Sequence, residues 1–190
     1  MATALVLKTG YVVAETGDAI HADCTITLVR STVNVLVDTG NPADGEELLR
    51  LLAAEGLSPS DIGVVVCTHG HTDHTGGNAL FPQAQFIIGQ DVSRGDLFTI
   101  HNFARSPYVI DDAVQVIPTP GHSGQDISVL VKTPEGLVAV VGDLFENEDD
   151  RANPTRWQTW SLNPRLHARS REAVLAMADF IVPGHGGRFG

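Results

Sequence analysis

A chain of 190 residues, 43% hydrophobic and 18% charged, has enough apolar material for one full core and predicts a single domain over residues 1–190. Its net charge of −11 argues against tight, general binding to nucleic acid. The longest apolar runs, such as Leu137 to Val141, are strand-length, and no charged leader precedes an apolar stretch, so neither a membrane span nor a secretory signal is expected.

Leu5–Val13, Thr25–Val29 and Val33–Val37 read as strands, the third ending at Asp38-Thr39-Gly40. Gly45 to Glu55 carries leucines at 48, 49, 51 and 52 and predicts a helix that stops at Gly56. Gly63–Cys67 is a buried strand, followed by a histidine-rich loop, a short helix near Asn78–Leu80 and a strand at Gln85–Ile88. Residues 91–107 give no clear pattern. Tyr108–Ile110 and Val114–Ile117 flank an Asp111-Asp112 turn; Ile127–Val131 and Leu137–Val141 are strands joined at residues 133–136. Glu146 to Pro154 is acidic and predicts a surface loop. Arg165 to Ala178 predicts a helix begun by Asn163-Pro164, and Phe180–Val182 a last strand. Most strands are β-branched and nearly continuous in apolar character, so they should be buried on both faces, in sheets covered by helices. Cys24 and Cys67 both lie in apolar strands and read as reduced core thiols of a cytosolic-type chain.

The chemistry concentrates in Thr68-His69-Gly70-His71-Thr72-Asp73-His74, three imidazoles and a carboxylate at the end of a buried strand. Imidazole suits zinc and iron, and a carboxylate adds a hard anionic ligand. His69 and His71 are two apart and point to one side of an extended segment; Asp73 and His74 point differently and could serve a second metal. His122, Asp143 and His185 each follow an apolar run and stand beside glycine. Five histidines and two aspartates exceed one tetrahedral site and suit two ions with room for water.

In this order the motifs resemble the metallo-β-lactamase-fold superfamily over nearly the whole chain. The resemblance implies an αββα sandwich of two mixed β-sheets flanked by helices, an α/β fold, with metals held at one edge. Carried over residue by residue, His69, His71 and His122 would bind the first metal, Asp73, His74 and His185 the second, and Asp143 would bridge both. The bridging Asp143 resembles the glyoxalase II-like, lactonase-like and nuclease-like branches and argues against antibiotic hydrolysis. Pro118–Asp126, Gly142–Glu146, Trp157-Gln158 and Val182–Gly186 resemble one compact animal group, which implies a hydrolase without accessory domains and an RNA endonuclease role of the histone pre-mRNA processing type. His185 stands five residues from the end of the sequence, so the helical substrate domain of classical glyoxalase II is not expected.

The expected enzyme is a metallohydrolase with two divalent ions, zinc first and iron or manganese as alternatives. A hydroxide between the ions attacks an ester-type or phosphodiester centre, and Asp73 orients it and takes its proton. A mononuclear iron persulfide dioxygenase and a glyoxalase II-like thioesterase are the alternatives. The partner is an anionic small molecule or RNA, with room for a homodimer. The location is cytoplasmic or nuclear. Residues 151–190 carry six arginines against Glu172 and Asp179, a local +4 in an otherwise acidic chain. That segment could favour anionic substrates, although a solvated helix face is the plainer reading, and the same holds for His167. His21 and His101 stand outside the motifs. Asp38 is placed either as a turn residue or as the orienter of a ligand histidine. Ser123 has no base to activate it. Trp157 and Trp160 either line the site or pack the C-terminal helix.

Overall fold

The computed structural model describes residues 1–17 and 19–190. In chain order the elements are β1 (Thr3–Lys8), β2 (Tyr11–Ala14), β3 (Ile20–Asp23), β4 (Ile26–Arg30), β5 (Asn34–Val37), α1 (Gly45–Ala54), β6 (Ile62–Cys67), α2 (Thr72–Thr75), β7 (Gln85–Ile88), β8 (Asp91–Arg94) and β9 (Leu97–Ile100). They continue with β10 (Tyr108–Val109), β11 (Val114–Pro118), β12 (Ile127–Thr133), β13 (Gly136–Gly142), α3 (Pro154–Gln158), α4 (Pro164–Met177) and β14 (Phe180–Pro183). One sheet has the order β1-β4-β5-β6-β7-β8-β9, the other β10-β11-β12-β13-β14, and β2 pairs with β3 as a separate hairpin.

Side-chain alternation along the strands builds the layers. Val64 and Val66 of β6 join Val35, Val116, Val129 and Val140 in a core between the two sheets. Val65 and Cys67 point the other way and pack with Leu48 and Leu52 of α1. Each of these fully buried leucines is worth about 1.5–3 kcal/mol relative to an exposed one. Behind the second sheet, Leu130, Val141 and Ile181 pack with Val174 of α4 and with Phe145. The arrangement is the helix–sheet–sheet–helix sandwich expected from the sequence. Cys24 and Cys67 are both free and buried in the layer under α1, and burial raises both thiol pKa values.

Three segments differ from the sequence reading. The expected strand Leu5–Val13 is broken at Gly10, where a Cβ would meet the Asp23 carbonyl oxygen at 2.3 Å. Glycine lets the chain cross that backbone and leave the sheet for the β2–β3 hairpin. Residues 91–100, unclear by pattern, form a hairpin turned at Gly95, whose φ of 60° favours glycine. Glu146 to Pro154 contains a 3-10 turn at Glu148–Arg151 with Asp150 buried, not a plain surface loop. Among the described residues, no helix is long and apolar enough to cross a membrane.

Strand direction places the site. β5, β6 and β7 are mutually parallel. β11 and β13 are each antiparallel to β12, and β14 is parallel to β13, so these three also share a direction. At one edge Ile127 N donates to the Thr68 carbonyl at 2.9 Å, tying the sheets together. There the carboxyl ends of β5, β6, β11, β13 and β14 deliver Asp38, the histidine motif, His122, Asp143 and His185.

Candidate metal centre

β6 is buried apart from the half-buried Gly63, and Thr68 directly after it donates from its N–H and hydroxyl to Asp38 at 2.7 and 2.9 Å. Asp38 itself has φ 62°, a left-handed conformation that aspartate tolerates better than most residues. The chain bends at residues 68–70, is extended at His71 and then closes into the single turn α2, which carries His74 to full burial. The two halves of the motif therefore aim in different directions because one lies on a bent connection and the other on a helical turn.

The remaining groups come from loops held by backbone bonds. Asp126 accepts from Gly121 N and Ser123 N, both at 2.8 Å, and from the Ser123 hydroxyl, which ties down the loop carrying His122. The Ser123 hydroxyl is thereby engaged by a carboxylate, with no base beside it. Gly142 has φ 54°, and a Cβ there would meet Thr68 Oγ1 at 2.3 Å, so glycine lets β13 deliver Asp143 past the histidine strand. His185 Nδ1 stands 2.9 Å from the Asp23 carbonyl.

The seven residues singled out in the sequence meet. His71 Nδ1 lies 2.8 Å from His69 Nε2 and 3.3 Å from His122 Nε2. Asp143 Oδ2 lies 3.6 Å from His69 Nε2 and 3.3 Å from His122 Nε2, while Oδ1 lies 3.2 Å from His74 Nε2. His185 Nε2 is 3.3 Å from Oδ1 and 3.4 Å from Oδ2. Asp73 Oδ2 stands 3.7 Å from His74 Nε2 and 3.8 Å from His185 Nε2. The donors thus fall into His69, His71, His122 and Asp143 on one side and Asp73, His74 and His185 on the other.

The donor set fits divalent cations. Among the described residues four buried polar side-chain atoms lack a hydrogen-bond partner, and two of them, His74 Nε2 and Asp143 Oδ1, face each other inside the cluster at 3.2 Å. Orphaned atoms of this kind are costly unless something satisfies them. Burial pushes the His69 and His122 imidazoles below their usual range, toward the neutral form that binds metal. Burial opposes the charged form of His74 too, but Asp143 and Asp38 outweigh it and hold its pKa up. For His185 burial is likewise overcome by Asp143, to about 9. Burial would raise the Asp143 carboxyl, yet His74 and His69 hold it well below the ordinary range.

Residues 20–108 match the family model of the metallo-beta-lactamase superfamily. The Xenopus laevis protein named metallo-beta-lactamase domain-containing protein 1 is 43% identical over 188 residues, covering 97% of this chain and 79% of its own. The chain belongs to the metallo-beta-lactamase superfamily. Solved structures agree on the fold. A metallo-beta-lactamase-type protein of Thermotoga maritima has a TM-score of 0.73 at 20% identity, covering 99% of this chain and 98% of that one. An N-acyl homoserine lactone hydrolase, solved with N-hexanoyl-L-homoserine at its catalytic metal centre, has a TM-score of 0.70 at 19% identity, covering 97% and 92%.

The donor cluster opens into a cavity of about 120 Å³, walled by Val12, Ile20 and Ala22 of the β2–β3 hairpin, by Trp160 and by Glu146. Glu146 was expected on a surface loop. It is instead nearly buried, its Oε2 3.8 Å from His185 Nε2, and burial followed by Asp143 raises its pKa to about 8. Its distance of three residues from Asp143 was the available signal.

His167 was read as part of a solvated basic face. It is fully buried, 2.9 Å from Ser161 Oγ and 3.0 Å from the Leu144 carbonyl, and burial lowers its pKa. Arg171, one turn on, is also buried. Trp157 packs against His167 with ring centroids 4.7 Å apart, whereas Trp160 is 48% exposed at the cavity mouth, so the two tryptophans divide the two roles. His21 pairs with Glu15 on the surface and His101 bonds the Ser106 carbonyl; neither joins the cluster. Asp38 proves to face His74 at 2.8 Å, the orienting placement.

Proposed function

We propose that this protein is a two-metal hydrolase acting on an ester-type bond. The observation that carries the reading is the placement of Asp143, whose Oδ2 faces His69 and His122 while its Oδ1 faces His74, with His185 reaching both oxygens. His69, His71 and His122 would hold one ion, Asp73, His74 and His185 the other, and Asp143 would bridge them. Divalent ions at these donors, zinc first given the imidazole-rich set, would supply polarisation of a carbonyl or phosphoryl oxygen and a water pKa lowered toward about 7. Asp73, half-buried at the cavity wall, orients the attacking water and receives its proton.

The walls favour an acyl substrate. Val12, Ile20 and Ala22 present apolar surface beside the donors, and the described residues that line the cavity include no lysine or arginine. An ester, thioester or lactone with an apolar acyl group matches that environment, and a lactone hydrolase of the same fold supports it. A second reading, cleavage of RNA, is favoured by the exposed indole of Trp160 at the mouth, a flat face on which a base can stack.

The test is a panel: zinc-loaded protein against an acyl-glutathione, an N-acyl lactone, a β-lactam and single-stranded RNA, each beside Asp73→Ala. Turnover of an acyl substrate that disappears on chelation and in Asp73→Ala is expected. Activity that survives both overturns the reading. RNA cleavage without acyl turnover transfers it to the nuclease. Stoichiometric iron with oxygen consumption on a persulfide replaces it with the redox alternative.

A further inference from the structure

The polar chain behind Asp143 leads to a donor outside the seven. Glu146 N donates to Asp150 Oδ2 at 2.8 Å, and the Glu146 carbonyl accepts from His185 N at 2.7 Å. Asp150 is fully buried and held by Arg171 at 2.8 Å. The Glu146 backbone is therefore fixed on both sides, and its side chain, 9% exposed, leaves it toward the cluster. Oε2 lies 3.8 Å from His185 Nε2, the same separation that Asp73 Oδ2 keeps from that nitrogen. Donor atoms of Asp143, Glu146 and His185 all lie within 4.8 Å of one another. Ligands about 2.0–2.2 Å from a shared ion stand roughly 3–4 Å apart, so the spacing suits a common cation. His74 Nε2 and Asp143 Oδ1, which face this volume, are two of the four buried side-chain polar atoms without a hydrogen-bond partner among the described residues.

We propose that Glu146 is a ligand of the second ion, making that position oxygen-rich: Asp73, Asp143 and Glu146 with His74 and His185. Three carboxylates favour harder cations than the three-imidazole position beside it, so the second position selects manganese or ferrous iron more strongly than the first does. The proposal rests on the two-metal reading given above.

Metal-free wild-type protein, Glu146→Gln and Glu146→Asp are titrated with Mn²⁺ and Zn²⁺ by calorimetry and with Co²⁺ by visible absorption. Two ions are expected to bind wild type. The second should weaken about tenfold or more in both variants, as loss of a metal-site group generally produces. The loss should be larger for Mn²⁺ than for Zn²⁺, and the second Co²⁺ should absorb more strongly as its ligand number falls. Glu146→Asp keeps the charge and withdraws the carboxylate by one methylene, so wild-type affinity in that variant reduces Glu146 to a charge effect and overturns the proposal. Unchanged affinity and spectrum in Glu146→Gln overturn it as well. Uptake of a single ion by wild type is the separate outcome that defeats the two-metal reading itself. Melting of the metal-free variants at the wild-type temperature verifies that each is folded.

Discussion

Asp38 Oδ2 stands 2.8 Å from Nδ1 of His74, and both side chains are buried. A carboxylate only accepts, so His74 donates from Nδ1 and turns Nε2 toward Asp143 Oδ1, 3.2 Å away. The same carboxylate accepts from Thr68 N and Oγ1. It thus ties the end of β6 to the inward turn that follows. Asp38→Ala is expected to weaken metal binding about 10–100-fold, because the imidazole loses its orienting partner. The buried Thr68 donors left unsatisfied should add a loss of about 1–3 kcal/mol each in the metal-free protein. Chelator competition reads the first effect and urea unfolding the second. Wild-type affinity with a folded variant would show that Asp38 only shapes the turn.

Gly184 offers a way to move Asp143 without changing a donor. A Cβ at Gly184 would fall 1.9 Å from Asp143 Oδ1, a contact that cannot persist. In Gly184→Ala the carboxylate must rotate or the β14 loop must shift. Metal binding should fall at least about tenfold, a loss of the size seen when groups supporting a metal are disturbed. Elemental analysis after dialysis at fixed zinc activity measures it. Gly187→Ala, where a Cβ meets nothing within 4 Å, is the control expected to bind like wild type.

The metal-type donors were legible in the sequence because each stands in a short local signal: ligand residues beside glycine at the end of an apolar strand. The αββα layers were legible because strands such as β6 are apolar on both faces. Glu146 and His167 were not, since their burial depends on long-range partners. Asp150 lies 21 residues from Arg171, and His167 lies 23 from the Leu144 carbonyl it faces. An arginine-rich helix beside an acidic loop has the same composition whether the two are solvated separately or buried against each other. Local pattern favours the solvated reading, and tertiary packing overrode it.

That buried pair yields its own prediction. Arg171 lies over Phe145 at 3.8 Å and Trp157 at 4.8 Å, and donates to Asp150 Oδ1 and to the Leu144 carbonyl. Arg171→Met leaves Asp150 buried with an uncompensated charge, which costs about 3–5 kcal/mol. Asp150→Asn should cost much less in that background than alone, since the charge it removes is already unpaired. A double-mutant cycle by urea unfolding reads the coupling. Additive losses would show that packing on the aromatic rings, rather than the ion pair, is what Arg171 contributes.

Asp111 gives a pH dependence away from the metals. Partial burial alone would raise its carboxyl pKa, but hydrogen bonds from Thr32, Ser31 and Ala113 outweigh burial and bring it to about 2. The Thr32 hydroxyl donates to Asp111 Oδ2 at 2.7 Å. Because the folded value lies below the ordinary carboxylate value of 3.8, the unfolded chain takes up the proton first as pH falls. The stabilisation is complete above about pH 4, declines below that, and is lost as pH passes about 2, through the folded value. Thr32→Ala should move the Asp111 carboxyl back toward its ordinary range, as seen in its side-chain ¹³C titration. Asp111→Asn should destabilise the protein more at pH 6 than at pH 3. An equal loss at both pH values would assign the turn's stability to its geometry and not to the carboxylate charge.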